Sequence, residues 1–132
     1  MRAADAILLI FVVLLSAPVS AEEWYTSYEK GKEKAEKNQC EDAEKLLLLA
    51  ISKSPNSDNR ARPYGTITME YLPHYFLARC AFQKQNWQDA KKYLDQAQTF
   101  GIEKSSKAEE FRVLKNRVLA KLAAAPSDQQ PN

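Results

Sequence analysis

Hydrophobic residues recur at helical spacing along most of the chain. The clearest stretch, residues 71–100, has two apolar faces separated by the polar segment 83–86. Apolar residues at offsets of three and four form one face of a helix, and a short polar break between two such faces predicts a helix–turn–helix hairpin. Pro73 fits the first turn of the first helix, and Gly101 fits a left-handed cap after the second.

The same periodicity predicts further helices over residues 22–37, 40–52 and 105–123. Ser106 and Glu109 match a capping box at the start of the last of these helices. Residues 58–72 break the pattern with two arginines, a proline, a glycine and a short β-prone patch. We expect an ordered loop with one extended turn there, inside an otherwise all-α fold.

The first 21 residues have a separate character. An apolar run of ten residues, 6–15, follows Arg2 and leads to the small residues Val19 and Ala21 before Glu22. This is the layout of a secretory signal peptide over residues 1–21. The run is shorter than the roughly 20 apolar residues that a spanning helix needs, although an uncleaved anchor is the alternative. We expect an exported chain, periplasmic or secreted, with no stable membrane span after cleavage.

Charge and composition exclude several functions. The formal net charge is +2, with acidic and basic residues interleaved, whereas nucleic-acid binding requires clustered positive charge. The three glycines are isolated, so no phosphate-binding loop is present. A single histidine, His74, and two separated cysteines match neither a zinc site nor a catalytic pair. We expect no catalytic residues, no metal site and no small-molecule cofactor.

Cys40 and Cys80 are the two cysteines of the chain. An even number in an exported protein favours a disulfide. Cys40 is predicted to begin the second helix and Cys80 to lie late in the third, so antiparallel packing of these helices would bring the two together. Two buried free thiols are the alternative, because a sequence does not supply the Cα separation that a disulfide requires.

The two predicted helix pairs contain an internal repeat. Gly31 precedes Ala43 by twelve residues, as Ala78 precedes Ala90. The other positions that recur in register are Cys40, Leu47 and Ala50 in the first pair and Trp87, Leu94 and Ala97 in the second. One hairpin cannot bury its outer face, so stacking the two copies and covering the end with the last helix would build a continuous core.

This pattern resembles the tetratricopeptide repeat, a helix–turn–helix unit with small residues at the helix contacts and a closing proline. Pro55 closes the first unit, whereas the second ends in Phe100 and Gly101. Ala43 and Ala90 are 47 residues apart, in place of the family's period of about 34, because residues 58–72 are inserted. The chain is most similar to exported bacterial members of this superfamily with degenerate repeats.

The resemblance implies a right-handed α-solenoid, or α-α superhelix. Its domain would occupy residues 22–123, and its parts are repeat 1 over 24–57, the inserted loop 58–72, repeat 2 over 73–101 and a cap helix over 105–123. We expect the remaining residues, 124–132, to form a disordered tail.

The family also implies a binding surface, since the first helix of each unit lines a concave groove. The matching positions are Tyr25, Tyr28, Lys32 and Glu36 in the first unit and Tyr75, Arg79, Phe82 and Gln83 in the second. Aromatic rings beside the equivalent cations Lys32 and Arg79 would suit an extended peptide with an acidic group. The alternative is that the rings pack in the core and the cations are solvated. The loop residues Arg60, Arg62 and Tyr64 would either edge this groove or anchor the loop.

The sequence therefore predicts an exported scaffold or adaptor that binds a partner protein or peptide and catalyses no reaction. One alternative is a structural or assembly subunit of an envelope or homo-oligomeric complex, with the leucine-rich second helix or the last helix as interface. A small hydrolase or thiol enzyme is the other alternative.

Overall fold

The structure, a computed structural model, describes residues 23–125 and is mostly helical within them. Its elements in chain order are α1 (Trp24–Glu36), α2 (Cys40–Lys53), β1 (Asp58–Tyr64), β2 (Ile67–Tyr71), α3 (Pro73–Gln83), α4 (Trp87–Thr99), a 3₁₀ turn (Ile102–Lys104) and α5 (Ala108–Ala124). The predicted signal segment and residues 126–132 of the predicted tail lie outside the described residues.

Helices α1 and α2 and helices α3 and α4 are joined by the same kind of turn. Asn38 and Gln85 lie at its centre with φ of 59° and 61°, in the left-handed region. The N–H of the next residue, Gln39 or Asn86, donates to the carbonyl five residues earlier at 2.8 or 2.9 Å. This Schellman arrangement satisfies carbonyls at the helix end. The two central residues are 47 positions apart, which is the offset of the sequence repeat.

Small residues allow the helices of each pair to approach closely. Ala43 and Ala50 of α2 are fully buried, and so are Ala90 and Ala97 of α4. At Gly31 a Cβ atom would lie 2.9 Å from Cγ of Leu47, which is closer than real side chains approach. Helix α3 packs on both helices of the first pair, and α5 packs on α4 and α3. The core therefore runs through all five helices.

Residues 58–72 contain an antiparallel β-hairpin, so the mostly helical fold also includes a small two-stranded sheet. Gly65, with φ of +60°, lies in the turn, and Tyr64 pairs with Ile67. Asp58 pairs with Tyr71 at the other end, and β1 contains bulges because it has more residues than the strand opposite. The bulges interrupt the alternation by which a strand is recognised in sequence, which is why a loop was expected.

Side chains of the hairpin fasten it to the helices. The Asn59 amide donates to the carbonyl of Gly101 at 2.8 Å, and the Tyr71 hydroxyl donates to the carbonyl of Ser54 at 2.7 Å. The Tyr71 ring also meets the rings of Trp24 and Tyr28, with centroids 4.7 and 4.9 Å away. The hairpin is thus an integral part of the core at its base.

The predicted capping box at Ser106 is wrong. The carboxylate of Glu70, at the end of β2, accepts hydrogen bonds from both the N–H and the hydroxyl of Ser106. Helix α5 begins later, at Ala108, and the Ser105 hydroxyl accepts from the N–H of Lys107 at 3.1 Å. A tertiary partner has replaced the local cap, so the last helix occupies 108–124 and not 105–123.

Cys40 and Cys80 form a disulfide, with Cα atoms 5.3 Å apart. The bridge joins the first turn of α2 to α3 and so links the two helix pairs covalently. Of the two arrangements that the sequence left open, the structure has the bridged one.

Candidate functional site

A groove of about 680 Å³ lies between α3 and the first half of α5. It is lined by Asn38, Tyr75, Arg79, Phe82, Gln83, Glu109, Glu110, Val113, Leu114 and Arg117. Its size falls within the range of about 300–1,000 Å³ that is typical of binding pockets. This groove is the candidate functional site.

The wall from α3 follows from helical spacing. Tyr75, Arg79 and Phe82 are four and three residues apart, so they share one face of the helix. The ring of Trp87 packs against the ring of Phe82, with centroids 5.2 Å apart. Burial raises the pKa of the Tyr75 hydroxyl, and the nearby charge of Arg79 partly opposes this shift. The ring of Tyr75 is therefore a fixed, neutral floor of the groove.

The wall from α5 was not among the predicted site residues. Leu114 is buried, whereas Val113 is exposed beside it, so the apolar surface of α5 extends past the core and into the groove. Arg117 lies one turn further along the same wall. The apolar position at Val113, outside the buried stripe of α5, was the available signal in the sequence.

The groove carries charges of both signs. Within residues 23–125, neither Arg79 nor Arg117 forms an ion pair or a side-chain hydrogen bond. Glu109 and Glu110 line the same groove, where Glu109 accepts a hydrogen bond from Nε of Arg112 at 3.0 Å and Glu110 lies 4.0 Å from the Lys107 ammonium. The groove thus combines an apolar floor with two arginines that have no direct partner and two carboxylates that have one.

The predicted residues of the first repeat do not line this groove. Tyr28 is only 1% exposed, and its hydroxyl hydrogen-bonds to the backbone of Leu72. Tyr25 contacts the rings of Trp24 and Tyr64, and Lys32 is half-buried elsewhere on α1. The structure brings together Tyr75, Arg79, Phe82 and Gln83 only. Arg60, Arg62 and Tyr64 lie on the β-hairpin and not at the edge of this groove.

A buried polar pair lies at the start of α3. The Ser57 hydroxyl is 2.6 Å from Nδ1 of His74, both residues are buried, and Phe100 packs against the imidazole with ring centroids 5.3 Å apart. Burial lowers the pKa of His74 to about 4, so the ring is neutral at pH 7. No carboxylate in residues 23–125 hydrogen-bonds to this ring, so the pair lacks the third member of a catalytic triad. Ser57 is not among the residues predicted from the sequence, because it lies 17 positions from His74 and no motif links the two.

Residues 23–125 contain no group of three or more His, Cys, Asp or Glu side chains arranged to hold a metal ion. None of the helices in this range has the length and apolar character required to cross a bilayer.

No protein-family model, curated protein or solved structure matches this chain. The resemblance to tetratricopeptide repeats therefore rests on the chain's own residues and geometry, and it stays a prediction.

Proposed function

We propose that this chain is an exported, non-catalytic binding module of the tetratricopeptide type, whose groove between α3 and α5 holds a segment of a partner protein. The observation that carries the proposal is the groove itself. It has an apolar floor from Tyr75, Phe82 and Leu114, and on each wall an arginine that forms no ion pair within residues 23–125.

The repeat assignment is supported by the two helix pairs. Their turns have the same hydrogen bonds 47 residues apart, and each pair has buried alanines at the positions where its helices meet. On this proposal the pairs are two degenerate repeats of a right-handed solenoid, and α5 is the terminal helix that covers the second repeat.

Export is supported by the disulfide and by the signal-like segment before Glu22. Disulfides persist mainly in oxidising compartments, and a small helical domain gains stability from such a link. The bridge also engages both thiols, which argues against the alternative of a thiol enzyme.

The chemistry of the groove suits a peptide segment with an acidic side chain and at least one apolar or aromatic side chain. Arginine recognises carboxylates through paired hydrogen bonds, and aromatic walls offer large contact areas without mobile side chains. The width of the groove is set by two packed helices, so little ordering is required on binding.

The test uses the tagged full-length protein expressed with its own leader, recovered from the exported fraction with its crosslinked partners. We expect Arg79→Glu combined with Arg117→Glu to abolish the crosslinked species. The control is Lys32→Glu, which changes the equivalent cation of the first repeat outside the groove and should leave the species intact. Unchanged crosslinking in the groove variant, with correct folding by circular dichroism, would remove this proposal.

A second candidate function, assembly with further copies or with an envelope complex, is favoured by α2. Leu48 and Leu49 are 48% and 40% exposed on its outer surface. Adjacent exposed leucines form contiguous apolar surface, and such surface often marks an interaction site. Light scattering after size exclusion tests self-assembly. A wild-type dimer that becomes a monomer in the variant Leu48→Gln with Leu49→Gln would support this function. A wild-type monomer would contradict it.

A further inference from the structure

The exposed face of the β-hairpin is a second surface with unusual chemistry. Along β1 the side chains of Arg60, Arg62 and Tyr64 are exposed, while Ala61 between the arginines is buried. These three exposed side chains, two of which flank the buried Ala61, belong to the solvent-accessible side of β1. This face, with Ile67 opposite Tyr64 on β2, is called the hairpin surface below.

The hairpin surface has two cations without partners. Neither Arg60 nor Arg62 forms an ion pair or a side-chain hydrogen bond within residues 23–125. Asp58, in the same strand, accepts the N–H of Arg60 at 2.8 Å through its carboxylate and keeps its negative charge. Strand β1 therefore carries two cations and one anion, an excess of one positive charge.

The same surface exposes apolar side chains. Tyr64 and Ile67 are 57% and 53% exposed, and the Tyr64 ring is supported by Tyr25, with centroids 5.6 Å apart. Tyrosine and arginine dominate the residues that contribute most binding free energy at protein interfaces. A supported tyrosine beside two free arginines has this composition.

A cavity of about 530 Å³ adjoins the hairpin surface at its base. Trp24 and Phe100 line it together with the buried Tyr71, and its other walls are the segment 54–57, Asp58, Ala61 and Arg62. Arg62 thus belongs to both the hairpin surface and the cavity. A ligand whose carboxylate meets Arg62 could place a neighbouring apolar side chain among these rings.

We propose that the hairpin surface and its adjoining cavity bind an acidic segment of a second protein, in which carboxylates flank an aromatic or aliphatic side chain. The site is built from β1, β2 and the start of α1, so it is separate from the groove between α3 and α5 and does not depend on its function. A protein segment fits better than an anionic membrane, because membrane recognition uses clusters of about four to eight cations and a convex apolar surface.

The probe is a fluorescein-labelled seven-residue peptide with a central phenylalanine flanked by aspartates and glutamates, titrated by anisotropy against the oxidised protein. A second peptide replaces each acid by its amide. We expect binding of the acidic peptide that weakens as salt rises, and affinity for the amide peptide lower by roughly tenfold or more.

The variant Arg60→Gln with Arg62→Gln should weaken the acidic peptide by roughly tenfold, since each charge-assisted contact is worth more than a neutral one. The matched control is Lys45→Gln with Lys104→Gln, which removes the same charge from exposed positions elsewhere and should change affinity by less than about twofold. Quenching of Trp24 fluorescence in a Trp87→Phe background reports whether the ligand occupies the cavity.

Three results would overturn the proposal. The first is equal affinity for the acidic and amide peptides, and the second is an unchanged affinity in the arginine variant. The third is loss of peptide binding in the variant Arg79→Glu with Arg117→Glu, which would show that the peptide binds in the groove between α3 and α5. Binding to vesicles containing phosphatidylglycerol, without binding to the acidic peptide, would replace the protein ligand by a membrane.

Discussion

The helix pairs α1–α2 and α3–α4 have the same turn and buried alanines at their contacts, yet the groove described above lies between α3 of the second pair and α5. Tyr28 and Tyr75 are 47 residues apart and occupy equivalent positions. Tyr28 lies under the β-hairpin against Tyr71, whereas Tyr75 faces α5 across the groove. Equivalent residues thus acquire different roles because different elements cover the two repeats.

The cations at equivalent positions show the same contrast. Lys32 and Arg79 are also 47 residues apart, but only Arg79 lies beside an opposing arginine, Arg117, on another helix. The internal repeat therefore identifies equivalent helix faces, while the neighbouring element determines whether such a face lines a groove. Four experiments test this difference between the two helix pairs.

The largest effect is expected when the covalent link between the two pairs is removed. Cys40→Ala with Cys80→Ala should lower the free energy of unfolding by about 4 kcal/mol, because the bridge closes a loop of 40 residues in the unfolded chain. Urea denaturation of the variant and of the oxidised wild type measures the difference. A change below about 1 kcal/mol would mean that packing alone holds the pairs together.

The second effect is a pH dependence of the free energy of unfolding. It arises from His74, which has Ser27 at the equivalent position of the first pair. Burial lowers the pKa of folded His74 to about 4, below the unfolded value of 6.5. The unfolded chain therefore binds more protons between these values, so stability is complete above pH 6.5 and decreases as pH falls towards 4. The predicted loss is about 3 kcal/mol.

Denaturant titrations at pH 7 and pH 4.5 measure this dependence, and His74→Gln is the control. The pH-dependent loss should largely disappear in the control, even if its stability at pH 7 is lower. An equal loss in both proteins would assign the effect to carboxylates elsewhere in the chain.

The third experiment exchanges the small residues at the two helix contacts. Gly31→Ala should destabilise by about 1–2 kcal/mol, because the added Cβ overlaps Leu47 and this cost exceeds the gain in helix propensity. Ala78→Gly should cost about 1–2 kcal/mol, because it lowers helix propensity and removes a fully buried methyl group. Thermal unfolding of both variants, and of Gly31→Ala combined with Leu47→Ala, tests the contact, since the smaller side chain should abolish the overlap.

The smallest effect separates the two tyrosines. Tyr28→Phe should cost about 1 kcal/mol, because its hydroxyl is bonded to the Leu72 backbone within the core. Tyr75→Phe should change the unfolding free energy by less than about 0.5 kcal/mol, since no protein group within residues 23–125 hydrogen-bonds to its hydroxyl. Equal costs in calorimetry would contradict the different environments assigned to these residues.

Local predictions from the sequence succeeded where a residue's neighbours in the chain determine its state. The apolar periodicity from Leu77 to Ala97 predicted two helices, and the polar break between them is the turn centred on Gln85. The capping box failed because Glu70, distant in sequence, takes both hydrogen bonds of Ser106. The prediction of a loop over residues 58–72 was wrong, because bulges in β1 obscure the alternation by which a strand is recognised.

Spacing in the sequence is enough to predict a mostly helical chain and two helix pairs that repeat at an offset of 47 residues. These features follow from local backbone geometry, which converts spacing directly into faces and turns. Tertiary packing joins Cys40 to Cys80, a pair for which the sequence left a disulfide and two free thiols open. It also places the β-hairpin over Tyr28 and α5 beside Tyr75, so that the first tyrosine is core and the second lines a groove. It also decided which arginines are left without partners, since ion pairing is a property of distance in space and not of position in the chain.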